Sequence, residues 1–320
     1  MNILDQDALE DGRSSKSGIE PRQRSLKEYI SRGFIILDKP SGPTSHDVVA
    51  TIKKILDIEK AGHSGTLDPS VSGVLPIALD EGTKILSTFV GASKRYICNL
   101  VLHDDVSEDK LQAILDELTG QIYQYPPLKS NVARRLRKRT IYRMELLEQK
   151  DQEYLLDISC EAGTYIRTLC IDIGKILGVG GKMKELRRVR SGSFSEDQSV
   201  TLHNVFDAYY DAIEGITEDH IKKIIHPIEE VVDLPRVVIR DNAIESIVHG
   251  AKVAVPGIIA IDEFSKKTDI QVLSCKGELI AIATSLMSSQ QIVNNEHGAA
   301  IQPNRVIFDR DEYNDYSNLV

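Results

Sequence analysis

The residue best placed for chemistry is a single aspartate among glycines, small hydroxyl residues and a proline, in residues 62–73. Glycine permits backbone conformations with positive φ, and the proline after Asp68 pushes this residue toward an extended or turn conformation. The stretch therefore predicts a rigid, tightly turned loop that presents one carboxylate. Such a carboxylate can act as a nucleophile or a general base. The alternative is an aspartate that only caps a helix or closes an Asx turn.

Two basic runs are the second chemically informative feature. The formal net charge is −9, which taken alone argues against a nucleic-acid partner. Residues 129–139, however, hold several cations and no acid, and residues 182–190 hold several cations against one glutamate. Local patches of this kind can bind phosphates while the whole chain stays acidic. One run alone would be read as a solvated face, but two runs with intervening Gly, Ser and Thr favour binding.

The elements that must position these residues follow from hydrophobic periodicity and capping signals. Apolar runs predict strands at residues 33–37, 96–103, 142–147 and 154–160, the last two paired across residues 149–152. Amphipathic patterns predict helices at residues 45–57, 83–90, 107–120, 165–177 and 199–210, the first with Thr44 or Ser45 as N-cap. Beyond a junction at Leu234–Pro235, short β-prone runs and one helix at residues 241–249 predict a small β-rich domain.

Composition excludes several classes of protein. A hydrophobic fraction of 41% and a charged fraction of 27% are typical of a soluble globular protein. No apolar run approaches the roughly 20 residues of a membrane span, and residues 1–20 contain no apolar signal-peptide core. The four cysteines lie far apart without a C-x-x-C pair, which argues against a zinc site or a disulfide framework and favours a reducing, cytoplasmic compartment.

Four separated motifs, in this order, resemble the TruB/dyskerin family of pseudouridine synthases. They are KPSGPTSH at residues 39–46, GHSGTLDPSVSGVL at 62–75, GTYIRTL at 163–169 and LRRVRSG at 186–192. Residues 249–251, 255–257 and 276–279 resemble a PUA module, an RNA-binding β-barrel. Within the family the chain is closer to the archaeal dyskerin-like branch than to bacterial TruB, because residues 96–126 lack the insertion of bacterial members and residues 60–63 and 125–130 fit that branch.

The resemblance implies an α+β fold. A pseudouridine synthase domain, with a mixed and mainly antiparallel central sheet flanked by helices, should occupy residues 32–232. A small β-barrel-like PUA domain should follow at residues 233–309, and a tail at residues 310–320. Residues 1–31 have few apolar positions before Tyr29, so a flexible N-terminal extension is expected there.

The reaction that the resemblance implies is the conversion of uridine in RNA to pseudouridine, which requires no metal or cofactor. The uridine must be flipped into a pocket, since its glycosidic bond is otherwise shielded. Asp68 is the implied catalytic carboxylate; it either attacks the ribose or abstracts a ribose proton. Arg167 is implied to pair with it through bidentate hydrogen bonds, and Tyr96 to stack on the flipped uracil. The simpler alternatives are a surface helix arginine and a core tyrosine.

Further binding residues come from the same resemblance. His63, Tyr165 and Leu186 match positions near the extruded base, although a satisfied loop histidine and a core leucine are the alternatives. The implied phosphate ligands are Arg134, Arg135, Arg187 and Arg188. After Ser130 the family usually continues Ala-Val-Lys, whereas this chain has Asn131-Val132-Ala133, so Arg134 or Arg135 would have to replace that lysine.

These expectations combine into a geometric prediction. Asp68 should face a cleft within reach of Arg167 and Tyr96, with the basic runs along the rim. Lys39 and Pro40 are expected to buttress the loop rather than take part in chemistry.

Three functions fit the sequence. The first is the catalytic subunit of a box H/ACA particle, with a guide RNA, a target rRNA or tRNA and small particle proteins as partners. The second is a stand-alone synthase that modifies the T-loop uridine of tRNA. The third is a catalytically silent RNA-binding scaffold, against which the intact Asp68, Tyr96 and Arg167 argue.

Overall fold

The computed structural model describes residues 1–14, 18–127 and 133–308. The strands are β1 (Asn2–Ile3), β2 (Gly33–Lys39), β3 (Ala61–His63), β4 (Ser72–Leu79), β5 (Lys94–Leu102), β6 (Gly120–Gln124), β7 (Arg137–Lys150), β8 (Glu153–Cys160), β9 (Gly181–Ser191), β10 (Phe194–Ser195), β11 (His226–Pro227), β12 (Arg236–Ile239), β13 (Val253–Ala254), β14 (Ile258–Ile261), β15 (Asp269–Leu273), β16 (Leu279–Ser285) and β17 (Ala299–Val306). The α-helices are α1 (Gln6–Ser14), α2 (Leu26–Ser31), α3 (Ser45–Leu56), α4 (Glu108–Leu118), α5 (Ile166–Leu177), α6 (Leu202–Ile213), α7 (Asp219–Ile224), α8 (Ile228–Val231), α9 (Asp241–Val248) and α10 (Ser289–Asn294). Short 3₁₀ helices lie at Pro21–Gln23, Asp80–Phe89, Glu196–Gln198 and Val255–Gly257.

The larger of two sheets contains β3 and β4, the strands on either side of the loop that carries Asp68 (residues 64–71). Its strand order is β11–β2–β4–β9–β5–β8–β7–β6, with β3 also paired to β4 and β10 to β9. Strands β4 and β9 are parallel, and the neighbouring strands elsewhere in this sheet are antiparallel. The predicted mixed, mainly antiparallel sheet is therefore confirmed.

Strand β5 shows how the sheet separates a buried face from a more open one. Its side chains alternate between buried and half-buried along the whole strand, as the period of two in a β-strand requires. Tyr96 and Cys98 lie on the buried face, while Arg95 and Asn99 lie on the other. The candidate tyrosine is thus directed to the side of the sheet that helices cover.

Helices α3 and α5 cover this buried face. Helix α3 begins with a capping box in which Thr44 and Asp47 exchange side-chain and backbone hydrogen bonds. Of the two N-cap candidates in the sequence, Thr44 and Ser45, the structure selects Thr44. Helix α5 ends at Leu177, and its C-cap residue Gly178 adopts the left-handed conformation with φ 78°. The apolar faces of both helices join the core that also contains Tyr96.

The smaller sheet forms the C-terminal domain. Its order is β1–β14–β12–β15–β16–β17–β13, with β12 and β15 parallel and the other neighbours antiparallel. Bulges interrupt several of these pairings, and bulges curve a sheet toward a barrel. The predicted small β-rich domain is confirmed.

The two domains share a hydrophobic core. Along β2, Ile35 and Leu37 face the helix-covered core, whereas Phe34 and Ile36 face a second core that continues into the smaller sheet. Phe34 packs on Phe89 and Phe194 at ring-centroid distances of 5.3 and 5.1 Å. One face of the larger sheet therefore rests on the C-terminal domain.

The expected flexible extension at residues 1–31 is wrong for the described residues 1–14 and 18–31. Strand β1 pairs with β14 of the C-terminal sheet, Leu9 of α1 is 3% exposed, and the Tyr29 hydroxyl donates to the Ile225 carbonyl at 2.9 Å. The few apolar residues of this stretch are used in contacts with distant parts of the chain. Composition, which averages over the stretch, cannot reveal such contacts.

Several predicted elements have different bounds. The basic run at residues 182–190 belongs to a central strand, β9, for which no strand was predicted. The predicted helix at 107–120 ends at Leu118, because Gly120, with φ 119°, opens β6. Strand β7 is longer than predicted, and its turn into β8 needs only Asp151, with φ 52°, and Gln152.

Among the described residues, none of the helices has both the length and the apolar composition that a membrane span requires.

Candidate active site

The aspartate loop, residues 64–71, connects β3 to β4. These two strands pair with each other, His63 opposite Ile77, so both ends of the loop are held in one antiparallel ladder. Gly73 has φ 104°, and a Cβ atom there would collide with the backbone of Arg188 in the adjacent strand β9. A glycine is therefore needed where the loop rejoins the sheet, as expected for a tightly turned loop.

A fully buried lysine fastens the loop from below. The Lys39 ammonium donates to the carbonyl oxygens of Pro40 at 2.8 Å, Pro69 at 3.2 Å and Val71 at 2.9 Å, and the side chain is 0% exposed. Burial lowers its pKa, while the nearby Asp68 carboxylate opposes this shift. These contacts are those of a buttress, the role that the sequence predicted for Lys39.

Ser45, at the start of α3, is a second anchor that sequence reasoning missed. Its hydroxyl accepts from the Leu67 N–H at 2.9 Å and donates to the Leu67 carbonyl at 3.0 Å. The residue before Asp68 is thus fixed to the helix. In the sequence, Ser45 is only one of two candidate N-cap residues in the KPSGPTSH motif. Nothing there indicates that its side chain binds the backbone of Leu67.

Asp68 and Arg167 meet at the molecular surface. The Arg167 Nη2 atom donates to Asp68 Oδ2 at 2.9 Å, and the two side chains are 48% and 59% exposed. Arg167 is the second residue of α5, so the helix start carries its guanidinium to the loop. The predicted pairing is present as a contact, but these two described side chains share one hydrogen bond instead of the expected bidentate pair.

Tyr96 lies beneath this pair on β5 and is 8% exposed. It pairs with Arg188 of the neighbouring strand β9. Burial raises the pKa of Tyr96, the Arg188 cation opposes this shift, and the Asp68 charge adds to it. The Asp68 carboxylate is thus close enough to influence the charge of Tyr96, while the predicted stacking of Tyr96 on a flipped uracil stays a prediction.

Arg188 does not lie on the rim of the cleft, and its predicted role as a phosphate ligand is wrong. The side chain is 1% exposed; Nε donates to the Val74 carbonyl at 2.8 Å and Nη2 to the Gly65 carbonyl at 3.0 Å. It instead joins the loop to β9. The alternation of β9 places Arg188 on the inner face, in register with Tyr96.

Arg187, on the opposite face of β9, is already paired with carboxylates. Its guanidinium donates to both oxygens of Asp38 at 2.9 and 3.1 Å and to Glu196 at 2.8 Å. A phosphate would have to compete with these partners, and the predicted phosphate contact of Arg187 stays a prediction.

Arg134 and Arg135 lie in the connection between β6 and β7, and both are exposed. Their predicted phosphate-binding role remains a prediction. Lys129 and Ser130 lie outside the described residues, as do Asn131 and Val132 of the Asn131-Val132-Ala133 departure from the family pattern; Ala133 is described and exposed.

The three residues predicted near the base occupy three different elements. His63, at the end of β3, packs edge-on against His46 with ring centroids 5.4 Å apart, and its buried Nδ1 has no hydrogen-bond partner among the described residues. Burial lowers the pKa of His63, which favours the neutral imidazole. Leu186 is 9% exposed on the β9 face that also carries Arg188, and Tyr165 immediately precedes α5.

Lys94 is a second residue that sequence reasoning missed. It lies two residues before Tyr96 on the same face of β5, is 6% exposed, and donates to the Ala92 carbonyl at 2.8 Å. Burial and the positive charge of Arg188 lower the pKa of Lys94 to about 8. The signal in the sequence was the period of two from Tyr96, which places Lys94 on the inner face.

The arrangement is one exposed carboxylate above three buried cations, Lys39, Lys94 and Arg188. Each cation donates to backbone carbonyls, so the cations fix the backbone while their charge remains available. A carboxylate held in this way, beside a guanidinium and a buried aromatic ring, suits attack on, or proton removal from, an anionic polymer substrate.

Comparison with protein-family models first defines the class. Residues 53–166 match the TruB family pseudouridylate synthase N-terminal domain, and residues 167–233 match the tRNA pseudouridylate synthase B C-terminal domain. Residues 235–307 match the PUA domain and residues 11–49 the DKCLD domain. The class is a pseudouridylate synthase joined to a PUA domain.

Curated relatives are similar to this chain over nearly its full length. A protein named "Probable tRNA pseudouridine synthase B" from Pyrococcus abyssi is 46% identical over 93% of this chain and 90% of its own length. The protein of the same name from Methanopyrus kandleri is 44% identical over 92% and 88%. The chain belongs to the TruB family of pseudouridylate synthases, and the resemblance drawn from the four motifs is confirmed.

Among solved structures, the archaeal box H/ACA sRNP Nop10–Cbf5 complex matches with TM-score 0.84 and 41% identity, over 98% of this chain and 96% of that one. A Cbf5–Nop10–Gar1 complex matches with TM-score 0.85 and 44% identity, over 98% and 95%. An H/ACA RNP bound to a substrate RNA containing 2′-deoxyuridine matches with TM-score 0.85 and 41% identity, over 97% and 94%. The expected archaeal dyskerin-like branch is thereby confirmed.

Proposed function

We propose that this chain isomerises uridine to pseudouridine in RNA as the catalytic subunit of a guide-directed box H/ACA particle. The observation that carries the proposal is the Asp68–Arg167 contact, set on a buttressed loop above the buried Tyr96. Similarity over nearly the full length of proteins solved in H/ACA complexes supports the particle assignment.

The proposed mechanism assigns one task to each site residue. A flipped uridine enters beside Asp68, and Tyr96 contacts the uracil ring. The Asp68 carboxylate either attacks C1′ as the N1–C1′ bond breaks, which gives an Asp68–C1′ ester, or removes the C2′ proton as that bond breaks, which gives a glycal. When C5 later bonds to C1′, the ester bond breaks in the first route, and the proton returns from Asp68 to C2′ in the second. The free uracil rotates and forms the C5–C1′ bond, after which C5 loses its proton and N1 gains one. The product is an isomer of the substrate, and the protein emerges unchanged.

Arg167 orients the attacking carboxylate. A guanidinium at 2.9 Å from Oδ2 favours one direction for the remaining carboxylate oxygen. The positive charges of Lys39, Lys94 and Arg188 lie beneath the loop, where they favour the approach of an RNA strand to an acidic chain.

The proposed RNA contacts use two regions. The exposed Arg134 and Arg135 would hold backbone phosphates near the site, and the PUA domain would bind guide RNA. Small particle proteins, such as those solved with the similar structures, would complete the assembly. The four cysteines are free and buried, which supports the proposal of a reducing, cytoplasmic compartment.

A stand-alone tRNA enzyme is the second candidate, favoured by the names of the Pyrococcus and Methanopyrus relatives. The purified protein should be incubated with unmodified tRNA, with and without guide RNA and particle proteins. Robust guide-independent activity confined to the T-loop uridine would contradict the particle proposal and support this second function.

The catalytic assignment is tested by Asp68→Asn. We expect no pseudouridine formation in a single-turnover assay, because an amide can neither attack ribose nor accept its proton, while RNA affinity changes less than about threefold because the side chain is exposed. The exposed Asp105→Asn is the matched control and should retain full activity. An active Asp68→Asn protein would refute the assignment, and equal loss of RNA binding would show that Asp68 is structural.

A further inference from the structure

A buried glutamine joins the β6–β7 hairpin to the start of α5. Gln124 is the last residue of β6 and is 2% exposed. Its Nε2 atom donates to the Tyr165 carbonyl at 3.1 Å, and its Oε1 atom accepts from the Tyr165 N–H at 3.0 Å. One side-chain amide therefore binds both polar groups of a single backbone residue that lies far away in sequence.

This contact occupies the position of a helix cap. Tyr165 is the N-cap residue of α5, and within the described residues its own side chain does not form the capping hydrogen bond of this helix. The Tyr165 carbonyl also accepts from the Leu169 N–H at 3.0 Å, which closes the first turn. Gln124 thus holds the residue from which the helix starts, and its loss would remove two hydrogen bonds to the backbone of that residue.

Neighbouring contacts fasten the same segment to the same hairpin. The Thr140 N–H of β7 donates to the Glu161 carboxylate at 3.0 Å, and the Glu161 N–H donates to the Thr140 carbonyl at 2.8 Å. The guanidinium of Arg139 packs over Gly163. The stretch between β8 and α5 is therefore aligned by the hairpin as well as by its own two ends.

Arg167 depends on this alignment because little else fixes it. It lies two residues after Tyr165, its side chain is 48% exposed, and one hydrogen bond joins it to Asp68. A shift of the helix start would move the guanidinium directly.

We infer that Gln124 is a positioning residue for the reaction: by binding Tyr165 it sets the start of α5 and thereby the contact of Arg167 with Asp68. The inference rests on the proposed catalytic role of that pair. It also connects the site to a hairpin that exposes Tyr123 and Tyr142 and whose connection carries the two arginines proposed to contact RNA.

The first test measures single-turnover pseudouridine formation at saturating RNA by the full chain, assembled with guide RNA and particle proteins if the enzyme requires them. Gln124→Met removes both hydrogen bonds, and Gln124→Glu replaces the donor with an anion facing the Tyr165 carbonyl. We expect each variant to lower the rate constant by about 10- to 100-fold, as small misplacements of a reacting group do, with RNA affinity within about twofold. An unchanged rate constant in folded variants overturns the inference.

A double-mutant cycle separates positioning from general structural damage. Arg167→Lys supplies a background with a measurable residual rate. If Gln124 acts through Arg167, Gln124→Met should lower the rate of Arg167→Lys by less than about threefold, because coupled residues are not additive. The control is Gln271→Met, another buried amide that binds backbone carbonyls, those of Val232 and Leu234, but far from the site; its effect should be the same in both backgrounds.

The outcomes are distinguishable. An equal factor for Gln124→Met in both backgrounds overturns the inference and leaves the proposed function intact. Full activity of Arg167→Lys and of Asp68→Asn overturns the proposed function, and with it the route through Arg167. Thermal unfolding of every variant is followed in parallel, so that a fold defect in one Gln124 variant is checked against the other.

Discussion

At the scale of single residues, the three buried cations of the site are the components whose burial most disfavours folding. Removing a charge from water is unfavourable unless partners replace its hydration, and Lys39, Lys94 and Arg188 have backbone carbonyls as partners instead of acids. Carbonyls satisfy hydrogen bonds but do not neutralise charge. The site therefore retains a positive field, which is of use only if an anion, such as an RNA strand, approaches it.

Lys94 gives a pH prediction. Its pKa is lowered from 10.5 to about 8 in the folded chain. Below pH 8 the Lys94 ammonium is charged in both the folded and the unfolded chain, and the loss of its hydration destabilises the folded chain. Between pH 8 and 10.5 the folded chain has lost a proton that the unfolded chain keeps, so wild-type stability gains with rising pH. Lys94→Met lacks this gain.

We therefore expect the stability of Lys94→Met relative to wild type to fall on the order of 1 kcal/mol between pH 7 and pH 9.5. Urea unfolding of both proteins at the two pH values measures this difference in stability. Other titrating groups are present in both proteins, so their contributions cancel. A relative stability that stays constant would show that Lys94 keeps an ordinary pKa.

The motifs that resemble the family predicted the contact between Asp68 and Arg167, but Arg188 was misassigned. The first two stand in loops or helix starts, where a local motif fixes the geometry. The direction of Arg188 depends on which face of β9 it occupies, and the cations on both faces of that strand obscure its hydrophobic alternation. Contacts such as Ser45 with Leu67, or Gln124 with Tyr165, join distant segments and have no local signal.

At the scale of elements, the start of α3 and the aspartate loop form one unit. Thr44 caps the helix from the exposed side, while the next residue, Ser45, points inward and binds both backbone groups of Leu67. Of these two adjacent hydroxyl residues, Thr44 therefore stabilises the helix start and Ser45 stabilises the loop.

This pair supplies a matched prediction. Ser45→Ala leaves two buried backbone groups of Leu67 unpaired, so we expect a loss of about 1–3 kcal/mol in unfolding free energy and a slower single-turnover reaction. Thr44→Ala should cost about 1 kcal/mol, as N-cap removal does, without slowing the reaction. Urea unfolding and rapid-quench kinetics measure the two effects. Equal reaction rates for the two variants would show that Ser45 does not position the loop.

Elements with a strong local pattern were predicted well. Strand β2, helix α3 and helix α5 have clear periodicity and clear ends, and their predicted bounds differ from the structure by a few residues at most. Strand β9 was missed, and β7 was predicted too short, because both are stabilised by neighbours on each side instead of by an alternating apolar pattern of their own.

At the scale of the whole molecule, a buried ion pair links the N-terminal segment to both domains. Arg24 donates to the two Glu229 carboxylate oxygens at 3.1 and 2.7 Å, and both side chains are nearly inaccessible. The same carboxylate accepts from the Leu279 N–H of the C-terminal domain at 3.0 Å. Three distant parts of the chain meet at this glutamate.

Two neighbouring arginines test the importance of this link. Arg24→Met leaves a buried carboxylate uncompensated, and we expect it to lower the unfolding free energy by about 3–5 kcal/mol. Arg22 pairs with Glu230 in an equivalent way but at the surface, so Arg22→Met should cost no more than about 1 kcal/mol. Urea unfolding of the two variants provides the comparison, and similar losses would contradict a special role for the buried pair.

Strand β1 has a consequence for the order in which the molecule is built. Ile3 pairs with Ala260, and the Leu4 N–H donates to the Ile259 carbonyl at 2.7 Å. At ordinary rates of translation, on the order of ten seconds or more separate the synthesis of this strand from that of its partner. Strand β1 thus leaves the ribosome long before its partner strand exists, and the C-terminal sheet is complete only when β1 pairs with β14 at its edge.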